Sequence, residues 1–306
     1  MLLPSDTAEL ALMVREAHDR SAPLRIVGGG RWQGSAAAVA TNATRLELRQ
    51  MTGIVEYVPG DLTLTARAGT TLAELDETTA PHGQWCPVLP WGDDAACLGA
   101  VFATATPGPF ERALGRPRDL ALGLQFVDGT GAIVWAGGRV VKNVAGFDLT
   151  RLLVGSWGTL GVITEVSVRL RARPAVDETW ALAFDWGDEK ALARRTSFER
   201  GPYAPIALRR LERGDCHGLG LAPDRTLLAR LGGNASFVAA SRSALLTLGN
   251  AEACDASTWS PYRAACSGEL PLNFAAALAD PLSQRVRQQF DPRRILNRGI
   301  FGDRPE

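Results

Sequence analysis

The segment KNVAGFDLTRLLVGSWGTLGVITEV, residues 142–166, is the most informative part of this sequence. It places one lysine, one asparagine and four glycines in 25 residues, and it then continues as a strand. From Val162 onward, apolar or threonine positions alternate with polar ones such as Glu165, which is typical of a half-buried strand. A strand in a plain core needs few glycines, because glycine mainly serves close backbone approach or unusual turns. The segment therefore predicts a strand that is entered through a ligand-binding turn.

Composition is that of a globular protein: 306 residues, 46% hydrophobic and 22% charged. The length suggests two domains, or one large domain with an insertion. Lys+Arg and Asp+Glu are 33 each, so net charge favours neither nucleic acid nor an anionic membrane as partner. No run approaches the ~18 apolar residues of a spanning helix, and the start of the chain is acidic where a secretory signal is basic. We predict a cytoplasmic protein without direct membrane insertion, with any membrane association made through partner subunits.

Cysteines and histidines give no pattern of a metal or disulfide site. The five cysteines are odd in number and include no CxxC pair, which argues against a disulfide framework and against an iron–sulfur or zinc cluster in this chain. The three histidines lie far apart in sequence. We therefore predict no metal site.

Local patterns predict the order of the elements. Asp6 with Glu9, and Thr71 with Glu74, have the spacing of helix-opening capping boxes. Alternation predicts strands at 24–27, 62–68 and 162–170, a hairpin over 120–135, and two further strands at 180–184 and 227–231. The final stretch, LSQRVRQQFDPRRILNRGIF, predicts a short amphipathic helix, a turn and a small apolar strand.

Three glycine-rich or apolar segments, 28–34, 91–108 and 155–161, adjoin predicted strands. Backbone N–H groups of a glycine run such as 28–30 can approach phosphate oxygens, because no side chain intervenes. A Rossmann G-x-G-x-x-G fingerprint would need glycine where Gln33 stands, so that fold is disfavoured. A single such loop, taken alone, is better explained as a plain tight turn without a ligand. Three together favour an extended dinucleotide that contacts backbone at several points.

The sequence resembles a flavoprotein family in three stretches: PLRIVGGGRWQG, then GDDAACLGAVFATATPGPFERALGRPRDLALGLQFVDGTGAIVWAGG, then KNVAGFDLTRLLVGSWGTLGVITEVSVRL. These are similar to the FAD-binding domain of the vanillyl-alcohol oxidase and p-cresol methylhydroxylase (PCMH-type) superfamily. Within it, the chain most resembles the small FAD-binding E subunit of bacterial glycolate oxidase (glycolate dehydrogenase). The tail FDPRRILNRGIF resembles the family's closing motif.

The resemblance implies an α+β fold. It implies a PCMH-type FAD-binding domain of two α/β subdomains over 1–172, a reduced α+β cap over 173–270, and a C-terminal segment, 271–306, that returns to the FAD domain. It also implies FAD contacts at a set of positions that match the family's motifs: Gly28, Gly29, Gly30, Arg31, Trp32, Asp93, Asp94, Ala95, Ala96, Cys97, Gly99, Ala103, Thr104, Gly115, Asp119, Lys142, Asn143, Asp148, Gly158, Gly161, Val162 and Ile163.

Three positions depart from the family pattern. Arg31 stands where covalently flavinylated relatives carry histidine, so we expect FAD to be bound non-covalently. Phe147 replaces the usual tyrosine, and Arg298 replaces the closing proline.

The catalytic residues are left open by the sequence. Catalytic D-2-hydroxy-acid dehydrogenases of this fold carry histidines in their C-terminal half, whereas here His217 is the one histidine after residue 82. A base must take the hydroxyl proton when a 2-hydroxy acid is oxidised. The candidates are Lys142 and His217.

Two functions of different classes follow from the resemblance. In the first, the chain is an FAD-binding subunit of a heteromeric glycolate oxidase complex for glycolate catabolism. It then relays electrons or completes an assembly with a larger FAD-binding subunit, which oxidises the small 2-hydroxy acid, and an iron–sulfur subunit. In the second, it is a stand-alone FAD-dependent 2-hydroxy-acid dehydrogenase. A non-catalytic assembly subunit, including a fold that has lost FAD, is a further alternative.

Overall fold

The computed structural model of the protein describes residues 1–32, 40, 42–138, 148–266 and 280–301. Its helices are α1 Thr7–Asp19, α2 Leu72–Thr79, α3 Leu98–Thr104, α4 Glu111–Leu114, α5 Pro117–Leu120, α6 Leu149–Leu153, α7 Glu189–Arg200, α8 Arg213–Gly218, α9 Ala235–Leu246, α10 Trp259–Ala265 and α11 Pro281–Phe290. Its strands are β1 Leu24–Val27, β2 Thr44–Glu47, β3 Ile54–Val58, β4 Thr63–Arg67, β5 Gln84–Trp85, β6 Ala121–Val127, β7 Ile133–Gly137, β8 Val162–Arg169, β9 Arg171–Ala172, β10 Val176–Leu182, β11 Ala207–Arg210, β12 Leu227–Gly233 and β13 Ala251–Cys254.

The two predicted helix starts are confirmed. The carboxylate of Asp6 accepts the backbone N–H of Glu9 at 2.8 Å and caps α1. At α2 the capping box is complete: Thr71 accepts the N–H of Glu74, and the Glu74 carboxylate accepts the N–H of Thr71 at 2.7 Å. Each cap satisfies backbone donors that a helix leaves open at its first turn.

A five-stranded antiparallel sheet, in the order β3-β4-β8-β6-β7, forms the larger part of the fold. The predicted hairpin is present as β6 and β7, and β8 is central. The alternation predicted for β8 is confirmed, since Val162, Thr164, Val166 and Val168 are buried while Glu165, Ser167 and Arg169 are partly exposed. Helix α3 lies against this sheet, and Phe102 belongs to the same hydrophobic core as Phe126 and Val166.

A smaller parallel pair, β1 and β2, lies beside the residues that follow α11. Leu24 pairs with Leu296, and the N–H of Leu24 donates to the carbonyl of Ile295 at 2.7 Å. The apolar strand predicted at the end of this tail is reduced to this single bridge at Leu296. After it the N–H of Ile300 bonds to the carbonyl of Asn297 at 3.1 Å, which closes a turn.

Residues 176–266, hereafter the four-stranded region, form a second antiparallel sheet in the order β11-β12-β10-β13. The strand predicted at 227–231 is confirmed as part of β12, and the one predicted at 180–184 overlaps the end of β10, which stops at Leu182. Aromatic rings join this region to the rest: Trp259 packs on Phe110 with ring centroids 5.0 Å apart, and both are buried.

The mixed helices and sheets confirm the α+β class. The domain division at 172 and 270 stays a prediction. Among the residues that the structure describes, no helix combines the length and the apolar composition needed to cross a lipid bilayer.

Candidate cofactor-binding site

A cavity of about 550 Å³, the cofactor cavity, lies where five segments of the chain meet. They are the end of β1 with the turn after it, the residues on either side of β2, helix α3, the turn before β8 with the first residues of β8, and the tail after α11. The lining residues are Arg25, Ile26, Val27, Gly28, Gly30, Arg31, Trp32, Ala40, Ala43, Leu48, Gly99, Ala100, Ala103, Thr104, Trp157, Gly158, Gly161, Val162, Ile163, Asn297 and Ile300.

Glycine brings these segments close together. A Cβ on Gly28 would lie 3.0 Å from the Cβ of Ala100, so the turn after β1 rests directly on α3. A Cβ on Gly99 would lie 2.5 Å from the Cβ of Ala68, so α3 in turn rests directly on the backbone after β4. Any larger residue at Gly99 would require a shift of the neighbouring chain, and one at Gly28 would require Ala100 to move by a few tenths of an ångström. The result is a cradle with exposed main chain, which suits a ligand that needs several backbone contacts.

The turn before β8 is held against α3. The N–H of Trp157 donates to the carbonyl of Ala103 at 2.8 Å, and the N–H of Gly155 donates to the carbonyl of Phe102 at 3.0 Å. Gly158 has φ +69°, in the left-handed region that favours glycine. The glycines of the opening segment thus let the chain turn sharply at the cavity wall before β8 enters the sheet.

Arg31 supplies positive charge in a cavity whose walls are largely apolar. Its Nε donates to the Asp93 carboxylate at 2.5 Å, and the side chain keeps 30% exposure. The same carboxylate oxygen also accepts the N–H of Ala95 at 3.1 Å. Asp93 thereby fixes the guanidinium beside the glycine turn, where a pyrophosphate group would find both backbone N–H donors and a cation.

Trp32 presents a buried hydrogen-bond donor without an acceptor. The residue is 5% exposed and lines the cavity, and its indole Nε1 has no partner in the part of the chain that the structure describes. An unsatisfied buried donor costs about 1–3 kcal/mol. A ligand oxygen or nitrogen in the cavity would remove that cost. The glycine cradle, the cation and this free donor together fit a dinucleotide cofactor.

Several predicted contact residues lie behind the lining. The Asp94 carboxylate accepts from Arg263 Nη1 at 2.9 Å, which links the cavity wall to α10 of the four-stranded region. Burial lowers the pKa of the 4% exposed Arg263 guanidinium, and Asp94 opposes that shift. Cys97 precedes α3, and burial raises the pKa of its thiol against the opposing effects of the Gly29 N–H and of Arg31.

Half of the predicted contact residues line the cavity, and the others lie behind the lining, elsewhere in the fold or outside the described residues. Eleven of the 22 line the cavity: Gly28, Gly30, Arg31, Trp32, Gly99, Ala103, Thr104, Gly158, Gly161, Val162 and Ile163. Six lie just behind these: Gly29, Asp93, Asp94, Ala95, Ala96 and Cys97.

Three predicted residues are used in local turns and helix ends and do not line the cavity. Gly115 has φ +100° between α4 and α5. The Asp119 carboxylate accepts the N–H of Arg116 at 3.3 Å, and that of Asp148 accepts the N–H of Arg151 at 3.0 Å. The remaining two, Lys142 and Asn143, lie outside the described residues, as does Phe147.

Of the two catalytic candidates, only His217 belongs to the described residues. His217 is exposed on α8 and does not line the cavity, and Lys142 lies outside the described residues. Within the described ranges, no three side chains of His, Cys, Asp or Glu are placed to hold a metal ion.

Sequence reasoning missed several lining residues, above all Arg25, Ile26, Trp157, Asn297 and Ile300. The residues at 25–26 and 157 stand next to predicted segments, so a wider margin around each glycine run would have included them. Asn297 belongs to the closing motif that was recognised, but nothing in its local pattern places it at the cavity.

Comparison with known proteins agrees with this geometry. Residues 1–137 match the model of a family described as FAD binding domain. The chain is similar to glycolate oxidase subunit GlcE of Escherichia coli, with 37% identity over 57% of this chain and 50% of that protein. It is also similar to a D-lactate dehydrogenase of Archaeoglobus fulgidus, with 34% identity over 55% of this chain and 37% of that protein.

A solved structure of alkyldihydroxyacetonephosphate synthase shares the fold. The TM-score is 0.70 with 18% identity, over 87% of this chain and 55% of that one. The chain spans about half, or less, of the length of the curated relatives named above. The match over residues 1–137 agrees with the family resemblance inferred from the sequence, and it supports FAD as the cofactor.

Proposed function

We propose that the chain is the FAD-binding subunit of a glycolate oxidase (glycolate dehydrogenase) complex. The complex oxidises glycolate or another D-2-hydroxy acid to the 2-oxo acid, and its electrons pass through flavin to partner subunits. A larger FAD-binding subunit and an iron–sulfur subunit are the proposed partners. The 37% identity to a glycolate oxidase subunit supports this assignment over other flavoprotein classes.

The observation that carries the proposal is the cofactor cavity itself. Five segments converge on it with glycine backbone, the Arg31 cation and the Trp32 indole N–H, which has no partner among the described residues. Glycine N–H groups and Arg31 would bind the pyrophosphate, Trp32 would donate a hydrogen bond, and the apolar walls would exclude water. FAD, when bound, supplies reversible acceptance and release of electrons.

The placement of the candidate base favours a subunit over a stand-alone dehydrogenase. Oxidation of a hydroxy acid needs a base within hydrogen-bond reach of the substrate hydroxyl. His217 is exposed on α8 and does not line the cavity. In the proposed complex the larger subunit provides that base. The alternative, in which this chain oxidises the acid itself, needs another base, either Lys142 or a carboxylate.

The first experiment uses the purified chain without oxygen. We expect a visible flavin spectrum that stays oxidised when glycolate or D-lactate is added, and that bleaches once the two proposed partner subunits are present. Rapid bleaching in the chain alone would contradict the subunit role.

A pair of lysine variants then distinguishes the two functions. Lys142 and Lys190 are the lysines of this chain, and Lys190 is exposed on α7. If the chain is self-sufficient with Lys142 as its base, Lys142→Met abolishes bleaching while Lys190→Met does not. If it is a subunit, neither variant of the isolated chain changes its response to substrate.

A further inference from the structure

We infer that Asn297 is a positioning residue for FAD, which ties two walls of the cofactor cavity together from the tail. It touches β1 on one side and the turn before β8 on the other. The inference rests on FAD as cofactor and does not depend on which acid the complex oxidises.

Both ends of the Asn297 side-chain amide are used. Its Oδ1 accepts the backbone N–H of Ile26 at 2.7 Å, and its Nδ2 donates to the backbone carbonyl of Trp157 at 2.7 Å. Its own N–H donates to the carbonyl of Leu24 at 2.9 Å. The residue is 4% exposed, and Ile26, Trp157 and Asn297 all line the cavity. One side chain therefore sets the separation of two walls that are 131 residues apart in sequence (157 − 26).

The backbone around Asn297 allows its amide to reach the Trp157 carbonyl. A Cβ on Gly158 would lie 2.9 Å from Asn297 Nδ2, so glycine is needed there for the amide to reach the Trp157 carbonyl. Asn297 itself has φ +45°, a conformation that asparagine tolerates better than most residues. The Asn297 amide makes two buried hydrogen bonds between uncharged groups. Its side chain therefore has little rotational freedom, because any rotation would break one of these bonds.

The tail that carries Asn297 is itself anchored. Asp291 is fully buried, and its carboxylate accepts the N–H groups of Ile295 and Leu296 at 3.0 and 2.8 Å. Ile300 then contributes to the lining. The last described part of the chain thus closes a site whose other parts lie within residues 25–163.

The test compares three variants by FAD affinity and by thermal midpoint. Asn297→Gly removes the amide while accepting the positive φ, and we expect the dissociation constant of FAD to rise about five- to tenfold. Asn297→Asp keeps an acceptor for Ile26 but sets a carboxylate against the Trp157 carbonyl, so we expect at least the same loss. Asn234→Ala is the matched control, since its side chain caps α9 by accepting the N–H of Phe237 at 2.8 Å, in the four-stranded region. It should lower the thermal midpoint and leave FAD affinity unchanged.

A result in which Asn297→Gly lowers the midpoint but keeps FAD affinity within twofold of the unmodified chain would overturn the inference. So would wild-type affinity in Asn297→Asp. Failure of the unmodified chain to bind FAD would reject the cofactor assignment and this role with it, whereas failure of glycolate to react would touch only the proposed function.

Hydrogen exchange on the unmodified chain gives a test that does not depend on a variant folding. FAD should slow exchange at the amides of Ile26 and Asn297, because the cofactor holds together the walls that these bonds join. Unchanged exchange at both amides on saturation with FAD would equally overturn the inference.

Discussion

The two larger sheets, of five and four strands, are both antiparallel, but the residues packed against them differ in kind. On the five-stranded sheet, α3 approaches through Gly99 and the turn after β1 rests on α3 through Gly28, which leaves a cavity bounded by main chain. In the four-stranded region, large side chains fill the junction with the rest of the fold. The Arg230 guanidinium lies 5.2 Å from the Trp85 ring and 5.0 Å from the Phe110 ring.

This contrast shows that residues which form a ligand site and residues which pack two regions together leave different marks in the sequence. Missing side chains mark the place where a ligand meets backbone, and such glycines stand out in a sequence. Bulky aromatic and arginine contacts between distant segments leave no local pattern. The predictions below test whether binding and packing are as separable as this contrast suggests.

The largest loss of unfolding free energy is expected from Leu231→Ala in the four-stranded region. Leu231 is fully buried in β12, so the lost contacts and the cavity left behind should cost about 2–5 kcal/mol of unfolding free energy. FAD affinity under folding conditions should stay within about threefold. Urea unfolding and fluorescence titration with FAD measure the two quantities, and Leu246→Ala, at a position 46% exposed, is the control. A large loss of FAD affinity in Leu231→Ala would show that the two regions are coupled.

Gly99→Ala should reduce FAD affinity strongly and stability less than Leu231→Ala does. Its Cβ would lie 2.5 Å from the Cβ of Ala68 and 3.0 Å from the Ala68 Cα, so α3 must move away from the sheet and carry one cavity wall with it. We expect a cost of about 1–3 kcal/mol in stability and a loss of FAD affinity of at least about tenfold.

Gly214→Ala serves as its control, because a Cβ on Gly214 in α8 would meet nothing within 4 Å. The control should retain FAD affinity and wild-type stability or better, since alanine favours helix more than glycine does. Equal FAD loss in both variants would argue against the close approach as the cause.

The smallest effect is expected from Trp32→Phe, which keeps an aromatic ring and removes the free donor. Losing one hydrogen bond to the cofactor should weaken FAD binding about fivefold, while the protein without FAD should be as stable as before or slightly more stable. Trp135→Phe, at an exposed position on β7, is the matched control. If FAD affinity is unchanged in Trp32→Phe, the Trp32 indole does not bond to the cofactor.

The sequence predicted those parts of the fold that rest on local rules. Capping pairs located α1 and α2, and period-two alternation located β8 and the β6–β7 hairpin. Helix α3 was predicted only as part of an irregular segment. Its N-cap is Cys97, whose side chain makes no capping hydrogen bond, so the usual helix-start residue was missing.

The candidate site was predictable to the extent that glycine marks it. Gly28, Gly30, Gly99, Gly158 and Gly161 were all named and all line the cavity. Asn297 and Ile300 were not named. The role of Asn297 depends on contacts with β1 and with the turn before β8 that no local spacing encodes. Gly115, Asp119 and Asp148 were named from the family pattern and are used at turns and helix ends.

The hydrogen bond between Ile26 and Asn297 cannot form until the ribosome has synthesised Asn297. Its two residues are 271 positions apart. At about 5–20 residues per second, roughly 15 to 55 seconds pass on the ribosome between the synthesis of the first and that of the second. Until then the N–H of Ile26 lacks the Asn297 side-chain acceptor, and the carbonyl of Trp157 lacks the Asn297 side-chain donor. The cavity walls that Asn297 joins can therefore reach their final arrangement only after the tail has been synthesised.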